Sequence, residues 1–409
     1  MAVRARSEAL ALLAGGGVAD LAFRIAQVAL PLVVLQETGS VAATGLVGGA
    51  SGIPVLLSPW WARRARQWVD SGPRLAIVAA VSAFALAVVP AAAAVGLVQP
   101  ALLVVSGLLL GIGDALSTPG RSALLADTGD RWAPGKAVVL LTWQDGARRA
   151  GMLVGPPIGA VAVGTGFTTG LLWVEAAAVL AGGLLACSVR AERAAQELAA
   201  PSIRESLRGR RDVLYGWIAR GTGCLTWFAF TLGLSVIGAE RGQPGIYLAA
   251  GMSGYGVGSL LATLISIAVV RRVAPVPLAA MAWMMMGLCW VGMGVWTTPP
   301  AVAGFGALSG VTVVLGIAAI SLLITRSSEG AERRALLSGQ SVVVNASSSA
   351  GLLIGGPVIA AAGAEWTLVG AGVLTGTVAL GVLLMARRPT SQSCSSKAFS
   401  STAESESVR

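Results

Sequence analysis

Stretches of about twenty residues with few or no charges recur along this chain, separated by short breaks of charge, proline or glycine. A hydrocarbon layer roughly 30 Å thick takes about 20 apolar residues to cross as a helix. It admits helices because each backbone amide then finds its partner within the segment. Twelve such spans are predicted: 9–36, 40–62, 74–97, 100–125, 136–164 and 167–189, then 214–238, 245–270, 276–297, 300–325, 334–362 and 366–386. Composition agrees, with 55% of residues hydrophobic and 12% charged, where a soluble domain carries about 25% charge. The mean hydropathy is +0.77. The expected fold class is an all-α membrane protein of twelve transmembrane helices.

Loop charge orients these spans. With the N-terminus in the cytoplasm, one side collects Arg4 and Arg6, the Arg63–Arg64–Arg66–Arg74 cluster, Arg121, Arg131, Lys136, the run from Arg190 to Arg211, Arg271–Arg272, Arg326, Arg333–Arg334 and the tail. Only Arg24, Arg148, Arg149 and Arg220 fall inside spans, and Arg241 alone falls on the opposite side. Basic residues accumulate in cytoplasmic loops, so a missed helix would scramble this bias. The chain is expected in a bacterial inner membrane with both termini on the cytoplasmic side. The charged start and apolar run at the N-terminus, with no small-residue cleavage site, read as the first helix rather than a removable signal.

The net charge of +10 is thus topological, and no nucleic-acid partner is expected. The chain has no histidine, which removes the commonest metal ligand and general base. The four cysteines are far apart and three lie in apolar stretches, where cysteine acts as a small hydrophobe. No metal, no cofactor and no enzyme activity are expected. A P-loop lysine motif is also lacking, which argues against ATP-driven pumping by this chain.

The sequence divides in two. GMLVGPPIGAVAV from Gly151 matches GLLIGGPVIAAAG from Gly351, and LGIGDA from Leu110 resembles LGIAAI from Leu315. Each match pairs the same helix of two six-helix halves. The expected organisation is an N-terminal bundle over 1–189, a cytoplasmic and partly helical linker over 190–213, a C-terminal bundle over 214–388 and a disordered serine-rich tail over 389–409. Duplicated halves of this kind place a substrate site at their interface near the bilayer midplane.

At this point the pattern resembles the major facilitator superfamily over roughly residues 8–388, nearest to bacterial drug and siderophore exporters. The first helix, VADLAFRIAQVALPLVVLQETGS, has that subgroup's acidic residue, Ala-Leu-Pro and closing Thr-Gly-Ser. STPGRSALL resembles its Pro-Ala-Arg segment, with Gly120 in place of the alanine. Gly151-x-x-x-Gly155-Pro156-x-x-Gly159 resembles the fifth-helix motif that implies antiport. Glycines four apart let helices approach closely, Pro156 permits a bend, and a tight, pliable contact between the halves is expected there. The loop after the second helix departs from the family pattern. It keeps Asp70, Gly72 and Arg74 but lacks the first glycine and the arginine after the aspartate, which puts its gating contact in doubt.

Ionisable groups inside a bilayer are costly and face an interior cavity. Asp20 and Arg24 share a face of the first helix, with Gln27 extending the stripe. Asp114 lies mid-span in the fourth, and Asp145, Arg148 and Arg149 share a face of the fifth. Two readings stand: a neutralised network that fixes the N-terminal bundle, or a carboxylate that takes up a proton and biases inward against outward states. For the second, Asp114 ranks first, then Asp20 and Asp145, with Arg24, Arg148, Arg149 and Arg121 as charge partners. Arg220 reads as a snorkelling residue near its helix end, and Glu175 as peripheral. The second half offers Trp227, Phe230, Tyr255 and Asn345 as candidate cavity surface for a lipophilic ligand.

The expected function is proton-coupled export of a small amphiphilic compound by a monomer. The alternatives are uptake, uncoupled transport, or a non-transporting membrane partner or sensor.

Overall fold

The apolar segments form helices, and the computed structural model describes residues 2–26, 29–97, 99–133, 136–189, 202–328 and 330–386. Among them there is no strand. The first span comprises α1 (Ala2–Ala26) and α2 (Ala29–Thr38). It is followed by α3 (Val41–Trp68), α4 (Gly72–Ala94), α5 (Pro100–Trp132), α6 (Lys136–Gly164) and α7 (Thr168–Ala186). After the short α8 (Ile203–Leu207), the second half runs through α9 (Arg211–Leu225), a π-helical turn (Ala229–Gly233) and α10 (Leu234–Glu240) as one span. Then come α11 (Ile246–Arg272), α12 (Pro275–Val295), α13 (Pro299–Ser327), α14 (Gly330–Ala362) and α15 (Ala364–Ala386). Residues 190–201 of the predicted linker and the tail 389–409 lie outside the described residues.

Eleven of these helices are long and apolar enough to cross a membrane. The twelfth is α6, which at 29 residues is also long enough; Asp145, Arg148, Arg149 and its two prolines lower its apolarity. Several helices overrun the predicted spans. The first begins at Ala2 instead of residue 9, α5 continues to Trp132, and α14 starts at Gly330. The reason is physical: a helix need not stop where the apolar band does, because charged side chains at its ends reach water.

The two halves repeat one packing scheme. In the first, α3 lies on α5, α4 on α5 and α7, and α1 on α5, α6 and α7. In the second, α11 lies on α13, α12 on α13 and α15, and α9 on α14 and α15. The halves meet along two seams, α3 against α14 and α6 against α11. Each seam joins a second helix to a fifth, as a twofold relation between the halves requires.

The apolar core is not evenly shared. At the end remote from the N-terminus (the far end), one cluster runs through both halves, including Leu32, Val34 and Leu172 from the first and Phe230, Ile237 and Leu368 from the second. At the near end it splits. Leu12, Leu75, Leu125 and Val189 form a cluster in the first half alone, and Trp217, Leu278, Ile320 and Leu336 form another in the second. Among the described residues, buried apolar packing therefore joins the halves at the far end, whereas at the near end each half keeps its own cluster.

Ion pairs brace each half separately. Glu8 is 2% exposed and sits 3.1 Å from Arg4 on α1 and 3.0 Å from Arg131 on α5. Removing one member of a buried pair costs about 3–5 kcal/mol, because the other charge stays behind without compensation. Arg131→Met is expected to destabilise the protein by about the lower figure, since Arg4 remains beside Glu8. Thermal unfolding in detergent measures this, and an unchanged melting temperature would count against the pair. In the second half the far-end loop residue Arg241 donates to Glu365, to the Thr297 carbonyl and, at 3.0 Å, to Tyr247 Oη, tying three helices together.

Candidate functional site

The facing walls of the two halves differ chemically. On the first, α1 presents Asp20 and Arg24, α5 presents Asp114, Thr118 and Arg121 at helical spacing, and α6 presents Gln144 and Arg148. Asp20 Oδ1 lies 4.0 Å from Arg121 Nη1, so the acid of α1 reaches across to α5. Asp114 accepts a hydrogen bond from Thr118 Oγ1 at 2.7 Å and is exposed, as are Thr118 and Arg148. Ser122 lies 3.5 Å from Gln144, linking α5 to α6. Arg24 is within electrostatic reach of Arg148, Asp20 and Tyr255. Asp145 and Arg149 lie on α6 with side chains outside the described set, and Gln27 falls outside the described residues altogether.

The second wall is aromatic. Trp227 packs against Phe230 (5.0 Å between ring centroids), edge-on against Tyr255 (5.3 Å) and against Trp290 (6.0 Å). Phe230 and Trp290 are fully buried and stack, while Trp227 and Tyr255 are half-buried and form the accessible side of the cluster. The π-helical turn Ala229–Gly233 begins two residues after Trp227. Such turns offset the backbone hydrogen-bond ladder by one residue and recur at functional sites. Asn345 lies on α14 in a run, 342–348, that is half-exposed throughout.

Several sequence expectations change here. The glycine stripe of α6 does not seal one half against the other; it packs on α1 within its own half. A Cβ at Gly155 would lie 2.6 Å from Arg24 Cβ, and one at Gly159 would lie 2.2 Å from the Ile25 carbonyl. Gly351 and Gly355 do the same in the second half, against Leu225 and Phe228. The seam between halves uses other residues: Gly256 of α11 against Leu153, and Gly45, Gly49 and Gly52 of α3 against Gly356, Leu353 and Ser349. Pro156 is buried within α6. Spacing identifies which face of a helix is smooth, but not which neighbour lies on it.

The loop holding Asp70, Gly72 and Arg74 stays within the first half. Arg74 donates to Asp70 Oδ2 at 2.9 Å and to the Trp68 carbonyl at 3.0 Å. The Gly72 amide donates to the Val189 carbonyl at 3.0 Å, and a Cβ there would collide with the Ala186 carbonyl. Neither Arg220 nor Glu175 is peripheral. Glu175 is 6% exposed on α7. Arg220 lies nine residues into α9, hydrogen-bonds the Cys224 thiol and faces Tyr255. The sequence reading started this helix at residue 214, which left Arg220 too near its end. Trp290 was passed over, since a tryptophan within an apolar span carries no signal of its own.

The comparisons with known proteins follow this geometry. A family model described as the Major Facilitator Superfamily matches residues 12–269. A search by sequence among curated proteins gives no match. In fold the chain is similar to the nucleoside transporter NupG, with a TM-score of 0.71 and 14% identity, covering 93% of this chain and 100% of that one. It is also similar to a POT family transporter in complex with a thioalcohol-conjugated peptide, with a TM-score of 0.69, 14% identity and coverage of 92% and 96%. A bacterial homologue of the human lysosomal transporter Spinster, solved inward-facing and unoccupied, gives 0.68 and 12% identity, with coverage of 94% and 97%. At such identities the likeness concerns the fold alone.

Proposed function

The chain belongs to the Major Facilitator Superfamily, and from that premise we propose that it exports a small amphiphilic compound by alternating access, coupled to proton entry. The observation that carries this reading is the division of the core: continuous between the halves at the far end, split at the near end, with charged and aromatic walls between. A rigid-body rocking of one half against the other would close the near end and open the far one around a fixed central site. The arginine clusters at the near end support its assignment as the cytoplasmic side. On this assignment the present state is open inward, as in the similar Spinster homologue. Substrate enters from the cytoplasm in this state, and the far-end seam must part to release it.

Asp114 is the proposed coupling carboxylate. It is exposed in the cleft, its described partner is a neutral hydroxyl, and the nearby Arg121 is engaged with Asp20. Protonation there removes a charge from the first wall and alters which closed state the wall favours. The antibiotic-like or siderophore-like character of the substrate rests on the sequence resemblance and on the lipophilic second wall.

A panel of amphiphilic compounds, scored by accumulation in cells with and without the protein, identifies a substrate. Flux into proteoliposomes under an imposed pH gradient then tests coupling. Asp114→Asn is expected to abolish gradient-driven flux, by tenfold or more, while substrate binding persists. Unchanged gradient-driven export by this variant would remove Asp114 from the mechanism. No accumulation difference across the panel, together with no flux, would favour a non-transporting role.

A further inference from the structure

The second half carries one charged side chain away from its helix ends, Arg220; its acids, among them Asp212, Glu240, Glu332 and Glu365, stand at or near helix termini. Charges buried in a membrane bundle normally pair with an opposite charge. Arg220 instead lies beside the sulfur of Cys224, one turn along α9, and that sulfur is also within reach of the Ser348 hydroxyl of α14. Its Nε is buried without an acceptor. On its other side stands Tyr255 of α11, which is also within electrostatic reach of Arg24 from the first half. Tyr255 is therefore within electrostatic reach of two guanidiniums, one from the first helix of each half. Trp227 meets the same Tyr255 ring edge-on at 5.3 Å and keeps part of its surface accessible. Among the described charges on the cleft walls, Asp20 and Asp114 face Arg24, Arg121, Arg148 and Arg220, so cations predominate.

We infer that the transported compound is an anionic amphiphile, whose acidic group is received by Arg220 beside Tyr255 and whose apolar or aromatic body lies on Trp227. A guanidinium offers two parallel donors to a carboxylate, sulfonate or phosphate group, and such charge-assisted bonds strengthen where water is scarce. The aromatic wall then takes the body of the molecule without a directional demand. The uncompensated charge of the second half is thereby neutralised only when the cleft is loaded. This inference names the ligand class of the site proposed above and rests on that reading, but binding can be tested apart from transport.

The experiment uses the full chain in phosphatidylcholine nanodiscs and equilibrium dialysis of three probes matched in shape: 2-naphthoate, 2-naphthalenemethanol and 2-naphthylmethylammonium. Benzoate and 1-pyrenebutyrate, each with its matched alcohol, extend the range of size. At least one acid is expected to bind tenfold or more tightly than its alcohol. Arg220→Gln should erase that preference, and Arg220→Lys, which keeps the charge, should retain part of it. Tyr255→Phe should weaken the acid severalfold, and monodisperse elution of each variant establishes that it is folded. No preference for any acid, equal or tighter binding of the ammonium, or a preference that survives Arg220→Gln would overturn the inference. Loss of acid binding in phosphatidylglycerol nanodiscs would also overturn it, by assigning the site to a lipid phosphate. Acid binding through Arg220 without flux would leave this inference standing and remove the transport reading. Flux of a cation without acid binding would do the reverse.

Discussion

Gly49→Val is expected to stop transport while leaving each half folded. Gly49 lies on α3 at the far-end seam, where an added Cβ would sit 2.4 Å from Leu353 Cγ and 2.8 Å from the Leu353 amide nitrogen of α14. Gly45 and Gly52 are equally tight against Gly356 and Ser349, so α3 has no adjacent slack to absorb the new side chain. Overpacking of this kind costs about 1–3 kcal/mol when a core can adjust. Here the strain falls on the contact that differs between the two end states. A bias of about 3 kcal/mol moves a two-state equilibrium roughly a hundredfold, so the far end should stand open. Leu32→Cys places a thiol in the core that seals this end. Its labelling by a membrane-impermeant maleimide applied from the far side should rise at least tenfold in the Gly49→Val background, and flux should fall by as much. Labelling and flux both equal to those of the parent would refute the seam as the closing contact.

Gly159→Ala is expected to lose most of the folded protein, an effect of a different kind. The Cβ would stand 2.2 Å from the Ile25 carbonyl oxygen, and one on the neighbouring Gly155 would stand 2.6 Å from Arg24 Cβ. These contacts join α6 to α1, two backbones within one bundle, and no flexible side chain can move aside. The same stripe supplies its own control. A Cβ at Gly151 would meet Arg24 Cγ at 3.6 Å, ordinary van der Waals contact, and one at Gly146 would meet nothing within 4 Å. Gly151→Ala and Gly146→Ala should therefore express and unfold like the parent, or slightly better, since alanine favours a helix over glycine by about 1 kcal/mol. Yield of monodisperse protein and its melting temperature separate the two classes. Equal behaviour of Gly159→Ala and Gly151→Ala would mean that α6 and α1 are not held at this distance.

Much of the fold was legible in the chain, because the bilayer imposes a length rule that soluble proteins lack. Apolar runs of one membrane thickness located the helices. Even α6, which lacks a long apolar window, was among the predicted spans. The candidate site was legible only in part. Asp20 and Arg24 are four residues apart, so a reading along the helix pairs them. The structure adds Arg121 of α5 beside Asp20, a partner about a hundred residues away that no local spacing reveals. The same holds for Arg220, whose surroundings come from α9, α11 and α14. The glycine stripe was found by period, yet its neighbour was misassigned, since period specifies a face and tertiary packing decides what meets it. The π-helical turn at Ala229–Gly233 had no signature at all, because its AFTLG sequence would suit an ordinary helix.

The short α8 bears on how far the halves can travel. Ser202 and Glu205 close a reciprocal cap on it, Ile203 and Leu207 rest on the second half's near-end core, and Arg210 Nη1 lies 2.6 Å from Glu332. On the other side, Val189 is pinned to the start of α4 through the Gly72 amide. What lies between these two pins, residues 190–201, is therefore the whole leash. Twelve residues pulled taut reach about 40 Å, well beyond the width of a helix pair. A stretch of that length sets no stop on the rocking proposed above, and a protease cut within it should leave both bundles seated on one another.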